Sequence, residues 1–218
     1  PSASFVSVPA AAGGTITVCQ GQNVTFINNS SNTTGNSTFT WSFGTGALPA
    51  NANGIGPHTT AYNTVGSTNA TLTVNNNNGN PASTYTIQIQ ILSSPVSNLS
   101  ITNAGAGYGT STQGGLTLFK NCNGLDTIAF NFQSSYNNSV NQIFSWGDGS
   151  PNENQLNMSG NTIAHNYPLG QFTLTHTVTL ANGCTISKNY IVFNGSAPLV
   201  TVSGSGQTTC LPSPYSID

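Results

Sequence analysis

The amino-acid sequence predicts an all-β protein built from tandem β-sandwich units. Three observations support this fold class: apolar and polar residues alternate in several stretches, turn-forming Asn and Gly residues separate those stretches, and a pattern of cysteine followed by tryptophan occurs twice. We find no stretch of ten residues with the apolar spacing of a helix, and we therefore predict no helix of that length.

The clearest strand signals are two long alternating stretches. Apolar side chains stand at alternate positions in Tyr85–Ile91, and apolar or His side chains do so in Phe172–Leu180, with Thr or Gln between them. Shorter examples occur at Val24–Phe26 and Phe130–Phe132. A period of two with β-branched and aromatic residues indicates strands that have one buried face and one face in water.

An internal repeat becomes visible when the two tryptophans are aligned. Trp41 and Trp146 each follow a cysteine-led strand pattern, and each precedes a Gly-x-Gly turn. Cys19, Cys122 and Cys210 then lie roughly 100 residues apart, a spacing that fits sandwich domains. From this spacing and the Ser/Pro-containing joints we predict three domains: 1–94, 95–196 and, as the truncated start of a third unit, 197–218.

Charged side chains are unusually scarce. Two basic and four acidic residues make up 3% of the chain, where about 25% is usual for a soluble domain. A net charge of −2 without a basic face excludes nucleic acid as a partner and steering onto an anionic membrane. No stretch approaches the roughly 18 apolar residues of a membrane span, so we predict no membrane insertion.

The second unit resembles the polycystic-kidney-disease (PKD) repeat. The tetrapeptide Trp146-Gly-Asp148-Gly, followed by His165-Asn-Tyr167 and a Gly before an alternating strand, is the pattern of that family. The first unit departs from it, with Thr45 where Asp is expected. The resemblance implies tandem immunoglobulin-like (PKD-type) sandwiches in an extended array, acting as spacers or interaction modules outside the cell.

The cysteine before the second strand and the pair Gly183–Cys184 are similar to PKD modules of Bacteroidota surface proteins, which the type IX system commonly exports. This resemblance implies a structural stalk of a giant surface adhesin, exported across the outer membrane to the cell surface. The expected partners are neighbouring repeats of the same chain, with surface polysaccharide or other surface proteins as further candidates.

The second unit has two cysteines, Cys122 and Cys184, which bracket it. Because exported proteins meet an oxidising environment, we predict a disulfide between these two residues, stabilising by roughly 4 kcal/mol on an entropic model; two buried free thiols are the alternative. Cys19 lacks such a partner, since Ala82 and Ser83 occupy the matching hairpin. We expect Cys210 to pair beyond the end of this sequence.

Aromatic and histidine residues are predicted to be structural. A tryptophan at the position of Trp41 and Trp146 fills the gap between the sheets of a sandwich, which we favour over a sugar-stacking role. His176 lies on the apolar face of its strand and is expected in the core. His165 and Tyr167 are expected to brace the turn beside Gly170.

The acidic residues support two interpretations of the turn at Asp148. Its carboxylate can cap the turn by accepting backbone N–H groups. Alternatively, Asp148 and Glu153 contribute to a weak calcium site, since Ca²⁺ takes six to eight oxygen ligands. No other metal or cofactor is expected. Separately, Thr127 lies in the tripeptide Asp126-Thr-Ile, which matches the short O-glycosylation pattern of Bacteroidota.

No motif predicts catalysis. Glycoside hydrolysis needs two carboxylates across a cleft, and neither a Gly-x-Ser-x-Gly elbow nor an HExxH motif occurs. We therefore predict a non-enzymatic protein with no catalytic residue. The competing hypothesis is a set of accessory carbohydrate-binding modules beside a secreted hydrolase. It requires exposed aromatic residues, for which the candidates are Tyr108 and Tyr136.

Overall fold

The computed structural model describes residues 1–105, 107–134, 139–155 and 162–196. Within these ranges all regular structure is β, which confirms the predicted all-β fold class. The chain divides into two compact units, Pro1–Ser94 and Pro95–Asp218. The third domain predicted at residues 197–218 lies outside the described residues.

The first unit is a two-sheet sandwich. Its strands are β1 (Phe5–Val8), β2 (Thr15–Cys19), β3 (Asn23–Asn28), β4 (Thr38–Ser42), β5 (Ala47–Leu48), β6 (Asn51–Asn53), β7 (His58–Tyr62), β8 (Gly66–Asn75) and β9 (Ser83–Leu92). One sheet has the order β1-β3-β7-β5, and the other has the order β2-β9-β8-β4-β6.

The second unit is also a two-sheet sandwich. Its strands are β10 (Leu99–Ile101), β11 (Tyr108–Gln113), β12 (Leu116–Asn121), β13 (Thr127–Ser134), β14 (Ser139–Ser145), β15 (Glu153–Gln155), β16 (Thr162–Pro168), β17 (Gly170–Leu180) and β18 (Thr185–Asn194). The smaller sheet has the order β10-β13-β16, and the larger has the order β11-β12-β18-β17-β14-β15.

The two units share one topology. In each, an early strand pairs in parallel with the last strand, β2 with β9 and β12 with β18, whereas the other strand pairs are antiparallel. The pairs β1–β3 and β3–β7 correspond to β10–β13 and β13–β16. The second unit has the additional strand β11, which covers the outer edge of β12, and its described residues include no counterpart of β5, which pairs with β7 in the first unit.

Aromatic residues fill both cores, because each alternating strand directs every second side chain inward. In the first unit the rings of Phe26 and Phe43 stack with centroids 5.1 Å apart, and Trp41 lies beside both. In the second unit the ring of Trp146 stacks on Phe144, with centroids 5.3 Å apart. Both tryptophans are buried.

The residue of the first unit that corresponds in the structure to Trp146 lies two positions after Trp41, the residue with which the sequence alignment paired it. In the first unit the Tyr62 hydroxyl donates to the Phe43 carbonyl (2.9 Å), and in the second the Tyr167 hydroxyl donates to the Trp146 carbonyl (3.1 Å). Phe43, not Trp41, therefore occupies the position of Trp146. Both tryptophans still face the core, because a shift of two residues along a strand preserves the face.

Neutral hydroxyl and amide side chains cover the outer, solvent-exposed faces of the larger sheets. Hydroxyls hydrogen-bond across neighbouring strands, at 2.9 Å between Thr71 and Thr86 and at 2.8 Å between Thr177 and Ser187. Ser67 donates to the Gln90 amide oxygen at 2.6 Å. Cross-strand pairs of this kind stabilise a sheet, so the surface carries polar contacts although the chain has few charges.

Candidate functional site

The Gly-Asp-Gly turn of the second unit is held by a histidine. His165 Nε2 lies 2.8 Å from Asp148 Oδ2, and the Ser150 N–H donates to Asp148 Oδ1 at 3.0 Å. The His165 ring stacks on Trp146, with centroids 4.1 Å apart and an interplanar angle of 4°. The turn, the tryptophan strand and β16 are thereby fixed to one another.

The electrostatics of this turn favour an ionised carboxylate. Burial alone would raise the pKa of Asp148, but hydrogen bonds from His165 and Ser150 outweigh that effect, and the pKa is lowered from its usual value. Burial also raises the pKa of the Tyr167 hydroxyl, so this group stays protonated and donates to the Trp146 carbonyl.

The first unit builds the same turn without charged groups. Thr45 occupies the position of Asp148. Its backbone N–H donates a hydrogen bond to Thr68 Oγ1 at 2.9 Å. Thr60, which takes the place of His165, donates to the Pro49 carbonyl at 2.6 Å. The acidic turn is therefore a feature of the second unit and is not required by the fold.

The calcium interpretation of Asp148 and Glu153 gains no support from the geometry. Both carboxylate oxygens of Asp148 accept hydrogen bonds from the protein, and Glu153 Oε1 accepts one from Gln155 Nε2 at 2.9 Å. In the part of the chain that the structure describes, no three or more His, Cys, Asp or Glu residues form a group that could hold a metal ion.

The predicted Cys122–Cys184 disulfide is wrong. Cys122 follows Asn121, which pairs with Asn194 at the last residue of β18, whereas Cys184 immediately precedes Thr185 at its first. These ten residues of extended strand separate the two cysteines by about 30 Å. A disulfide requires Cα atoms within about 7 Å of each other.

All the cysteines that the structure describes are nevertheless disulfide-bonded: Cys19, Cys122 and Cys184. The sequence left the pairing of Cys19 open, and this residue is disulfide-bonded although Ala82 and Ser83 occupy the matching hairpin. Cys19 and Cys122 occupy the same place in their units. Cys19 follows Val18, which is buried and pairs with Ile91 of β9. Cys122 follows Asn121, which is buried and pairs with Asn194 of β18. Disulfides persist in oxidising compartments, which indicates an extracellular protein.

A buried polar network surrounds His176, which the sequence places in the core. His176 Nδ1 lies 2.8 Å from Ser97 Oγ, and His176 Nε2 lies 2.8 Å from Gln142 Oε1. Its ring stacks on Phe144, with centroids 4.7 Å apart. The Tyr190 hydroxyl donates to the Ser97 carbonyl at 3.1 Å. Burial lowers the pKa of His176 to about 4.

Sequence reasoning missed three members of this network, Ser97, Gln142 and Tyr190. One signal was available in β14, where Gln142 stands two residues before Phe144 and so points to the same face as that core residue. A polar residue at an inward position must find a partner. The partners lie in distant parts of the sequence, and only the fold brings them together.

A second buried polar cluster lies where β12 and β18 end. The Asn194 side-chain amide donates to the carbonyls of Leu125 (3.1 Å) and Tyr167 (3.0 Å). Asn121 accepts from the Asn123 N–H at 2.9 Å. Asn194 thus ties β18 to the loop before β13 and to the end of β16.

We expect Asn194→Ile to lower the free energy of unfolding of the second unit by about 2 kcal/mol, because two carbonyls lose their donor. The first unit has Ile91 at this place, so the side chain itself suits the fold. Denaturant titration measures the change. The control is Asn189→Ala on the exposed face of β18, which should stay within about 0.5 kcal/mol; equal effects of the two variants would contradict the expectation.

The remaining candidate residues lie apart from these clusters. Thr127 is exposed at the first position of β13, and its modification stays a prediction. Tyr108 is half-buried; its hydroxyl donates to the Ala129 carbonyl at 2.6 Å, and its ring packs on Phe130. Both contacts tie Tyr108 to β13, and a sugar-stacking role for its ring stays a prediction. Tyr136 lies outside the described residues.

Comparisons with known proteins give one family and a set of similar folds. A model described as "PKD domain" matches residues 7–91. The fibronectin(III)-like modules of Clostridium thermocellum CbhA are 10% identical, with a TM-score of 0.35, over 93% of this chain and 100% of theirs. A solved chain from a study of a 1.5-MDa bacterial ice-binding adhesin is 8% identical, with a TM-score of 0.29, over 89% of this chain and 65% of that solved chain.

Human CDH23 EC21-23 is also similar, at 12% identity and a TM-score of 0.25, over 87% of this chain and 63% of that one. The search of curated proteins found no match.

Among the described residues, no helix has the length and apolar character needed to cross a membrane. The PKD match covers the unit whose turn departs more from the family motif, and the second unit repeats its strand topology. The fold is thus a PKD/immunoglobulin-like β-sandwich, similar over residues 7–91 to the PKD domain family.

Proposed function

We propose that this chain is a load-bearing spacer segment of a giant repetitive cell-surface adhesin. The observation that carries the proposal is the parallel pairing of an early strand with the last strand in each unit. β2 pairs with β9 over Thr15–Cys19, and β12 pairs with β18 over Leu118–Asn121. This arrangement determines how each sandwich responds to a pull on its two ends.

The first unit shows the mechanical consequence. The chain begins beside the start of β9, where the Ala3 N–H donates to Ser83 Oγ at 2.9 Å, and it leaves after Leu92 at the end of β9. A pull on both ends therefore draws β2 and β9 in opposite directions along their common axis. The hydrogen bonds between the two strands share the load, so they do not break one after another.

The turn of the second unit supports a structural role as well. Asp148 and His165 are engaged with each other and with Ser150, and the stacked pair of Trp146 and His165 leaves no open ring face between them. Asp148 and His165, the candidates for catalysis, hydrogen-bond to each other, and one face of the Trp146 ring, the candidate for sugar stacking, is covered by His165. The proposal therefore includes no enzymatic activity.

The biological setting extends the proposal. We infer export across a bacterial outer membrane by the type IX system, and a role in gliding motility or surface attachment of the kind served by the adhesin SprB. The disulfide-bonded cysteines support an extracellular location. Neighbouring repeats of the same chain are the expected partners, and surface polysaccharide or other surface proteins would bind elsewhere on the parent.

Single-molecule pulling of the first unit tests the mechanical part. With handles at residues 1 and 94, the unit should resist a higher force than with handles at residues 1 and 78. Asn78 lies in the turn before β9, at the same end of the unit as the chain start, so the second geometry peels strands apart. Equal unfolding forces in the two geometries would refute a load-bearing role for the parallel ladder.

The parent protein provides an independent test. Non-reducing mass measurement of the cell-surface fraction should find peptides of this chain in a polypeptide many repeats long. Shaving intact cells with protease should release the same peptides. A parent of ordinary size, or peptides confined to the cell interior, would refute the adhesin setting and leave the mechanical result unaffected.

A further inference from the structure

The polar network around His176 has an apolar counterpart in the first unit. Strand registers define the correspondence: the pairs Trp41–Leu72 and Phe144–His176 are equivalent, as are Ala70–Ile87 and Leu174–Tyr190. The four network residues and their counterparts are Ser97 with Ala3, Gln142 with Phe39, His176 with Leu72 and Tyr190 with Ile87.

The fold therefore does not require polar residues at these four positions. A single polar residue among three apolar ones would leave a buried group unpaired, at a cost of about 1–3 kcal/mol. All four positions differ together between the units, and in the second unit each side chain hydrogen-bonds to another member. The four side chains thus form one connected network in the second sandwich, in which Gln142 Nε2 is buried without a hydrogen-bond partner.

The hydrogen bonds converge on the segment that leads into β10. Ser97 Oγ bonds to His176 Nδ1, the Ser97 carbonyl accepts from the Tyr190 hydroxyl, and the Leu99 N–H donates to the same hydroxyl at 3.1 Å. Ser97 is buried, although it is only the third residue of the unit. On the other side of the imidazole, His176 Nε2 is hydrogen-bonded to Gln142 Oε1.

Apart from these contacts, strand β10 is held by a short ladder, by the buried Leu99 side chain, and by hydrogen bonds that join Thr102 and Asn103 to β13. It pairs with β13 through three residues, Leu99–Ile101, and it forms an edge of the smaller sheet. Short edge strands detach at a lower free energy than central strands, because few backbone hydrogen bonds must break. The contacts of Ser97 and Leu99 with β17 and β18 join this edge strand to the opposite sheet.

We propose that Ser97, Gln142, His176 and Tyr190 form a clasp that holds the segment from Ser97 to Ile101 on the second unit and so controls the detachment of β10. The clasp works by side-chain hydrogen bonds in the core, where water cannot compete for them. The first unit, with Ala3 at the position of Ser97, holds its corresponding strand β1 by a ladder of four residue pairs.

Amide hydrogen exchange on the full chain tests the clasp. Ser97→Ala and Tyr190→Phe each remove one hydroxyl, and each should speed exchange of the Leu99 and Thr102 amides by about tenfold, the effect of losing roughly one hydrogen bond. Thr102 is a second reporter because its N–H donates to the Asn131 carbonyl. The Leu169 amide, which donates to the Asp126 carbonyl elsewhere in the unit, should not change.

The matched control is Ser187→Ala, which removes a hydroxyl from an exposed cross-strand pair with Thr177 and should leave all three amides as in the unaltered chain. Unchanged exchange at Leu99 and Thr102 in both clasp variants would overturn the proposal. An equal increase at Leu169 would also overturn it, because the network would then stabilise the whole sandwich and not the segment. If Tyr190→Phe folds poorly, Ser97→Ala decides alone, since alanine is the residue at the equivalent position of the first unit.

Discussion

The free energy of unfolding of the second unit is expected to fall by about 3 kcal/mol as the pH is lowered from 7 to 4, because of His176. Burial lowers the folded-state pKa of His176 from 6.5 to about 4. Below pH 6.5 the unfolded chain binds a proton that the folded unit does not accept. The stabilisation is therefore complete above pH 6.5 and is lost as the pH falls towards 4.

The groups around the imidazole offer nothing to compensate the charge. It faces the neutral side chains of Ser97 and Gln142, the Phe144 ring and the Tyr190 hydroxyl. Lys188 pairs with His176 across the ladder, and its ammonium lies 5.0 Å from the centre of the Tyr190 ring. Burial is the cause of the lowered pKa of His176.

Urea titrations at pH 7, 5.5 and 4 measure the effect, with His176→Leu as the matched variant because the first unit has Leu72 at this position. The variant should lose the slope between pH 6.5 and 4, whatever its stability at pH 7. Asp148, whose pKa is lowered, contributes stability that disappears only below this window. A variant as sensitive to pH as the unaltered chain would show that His176 is not the titrating group.

Local alternation was enough to predict β9 and β17, one long strand in each unit. The stretches Tyr85–Ile91 and Phe172–Leu180 lie within β9 and β17, and they do alternate between core and surface along most of their length. This success has a simple cause. Burial of every second residue is a property of one strand and its two faces, and it needs no knowledge of which strand lies beside it.

The repeat register was harder to predict, because two core-filling aromatics are interchangeable along a strand. Trp41 and Phe43 point to the same face, so aligning either with Trp146 preserves the burial pattern. The hydrogen bond from Tyr62 to the Phe43 carbonyl fixes the correct register. The Gly-x-Gly turn, in which Thr45 stands where Asp148 does, has the same register, whereas the alignment of the two tryptophans differs from it by two residues.

The cysteine pairing failed because it depends on the direction of a distant strand. Cys122 and Cys184 do flank the unit in sequence, yet the parallel pairing of β12 with β18 places them at opposite ends of one strand. Parallel pairing joins segments about seventy residues apart, and no local pattern reveals its direction. The same limit hid the partners of His176, which come from three separate segments.

Replacing Trp146 with alanine should lower the free energy of unfolding of the second unit by about 4 kcal/mol, the usual effect of truncating a buried tryptophan. The ring is buried between the two sheets, and it stacks on both Phe144 and His165. Its loss opens a cavity and removes the surface that orients His165 towards Asp148. A loss of this size is a large fraction of the 5–15 kcal/mol that typically separates folded and unfolded domains.

Trp146→Phe is the matched control, because the first unit holds Phe43 at the same position, fully buried and supported by the same tyrosine hydrogen bond. It should cost much less than the alanine variant and should keep the His165–Asp148 contact. Denaturant titration followed by near-ultraviolet circular dichroism separates the two variants. Similar losses for Phe and Ala would contradict the two-residue correspondence between the units, since a phenylalanine that truly fits this position cannot leave the cavity that alanine leaves.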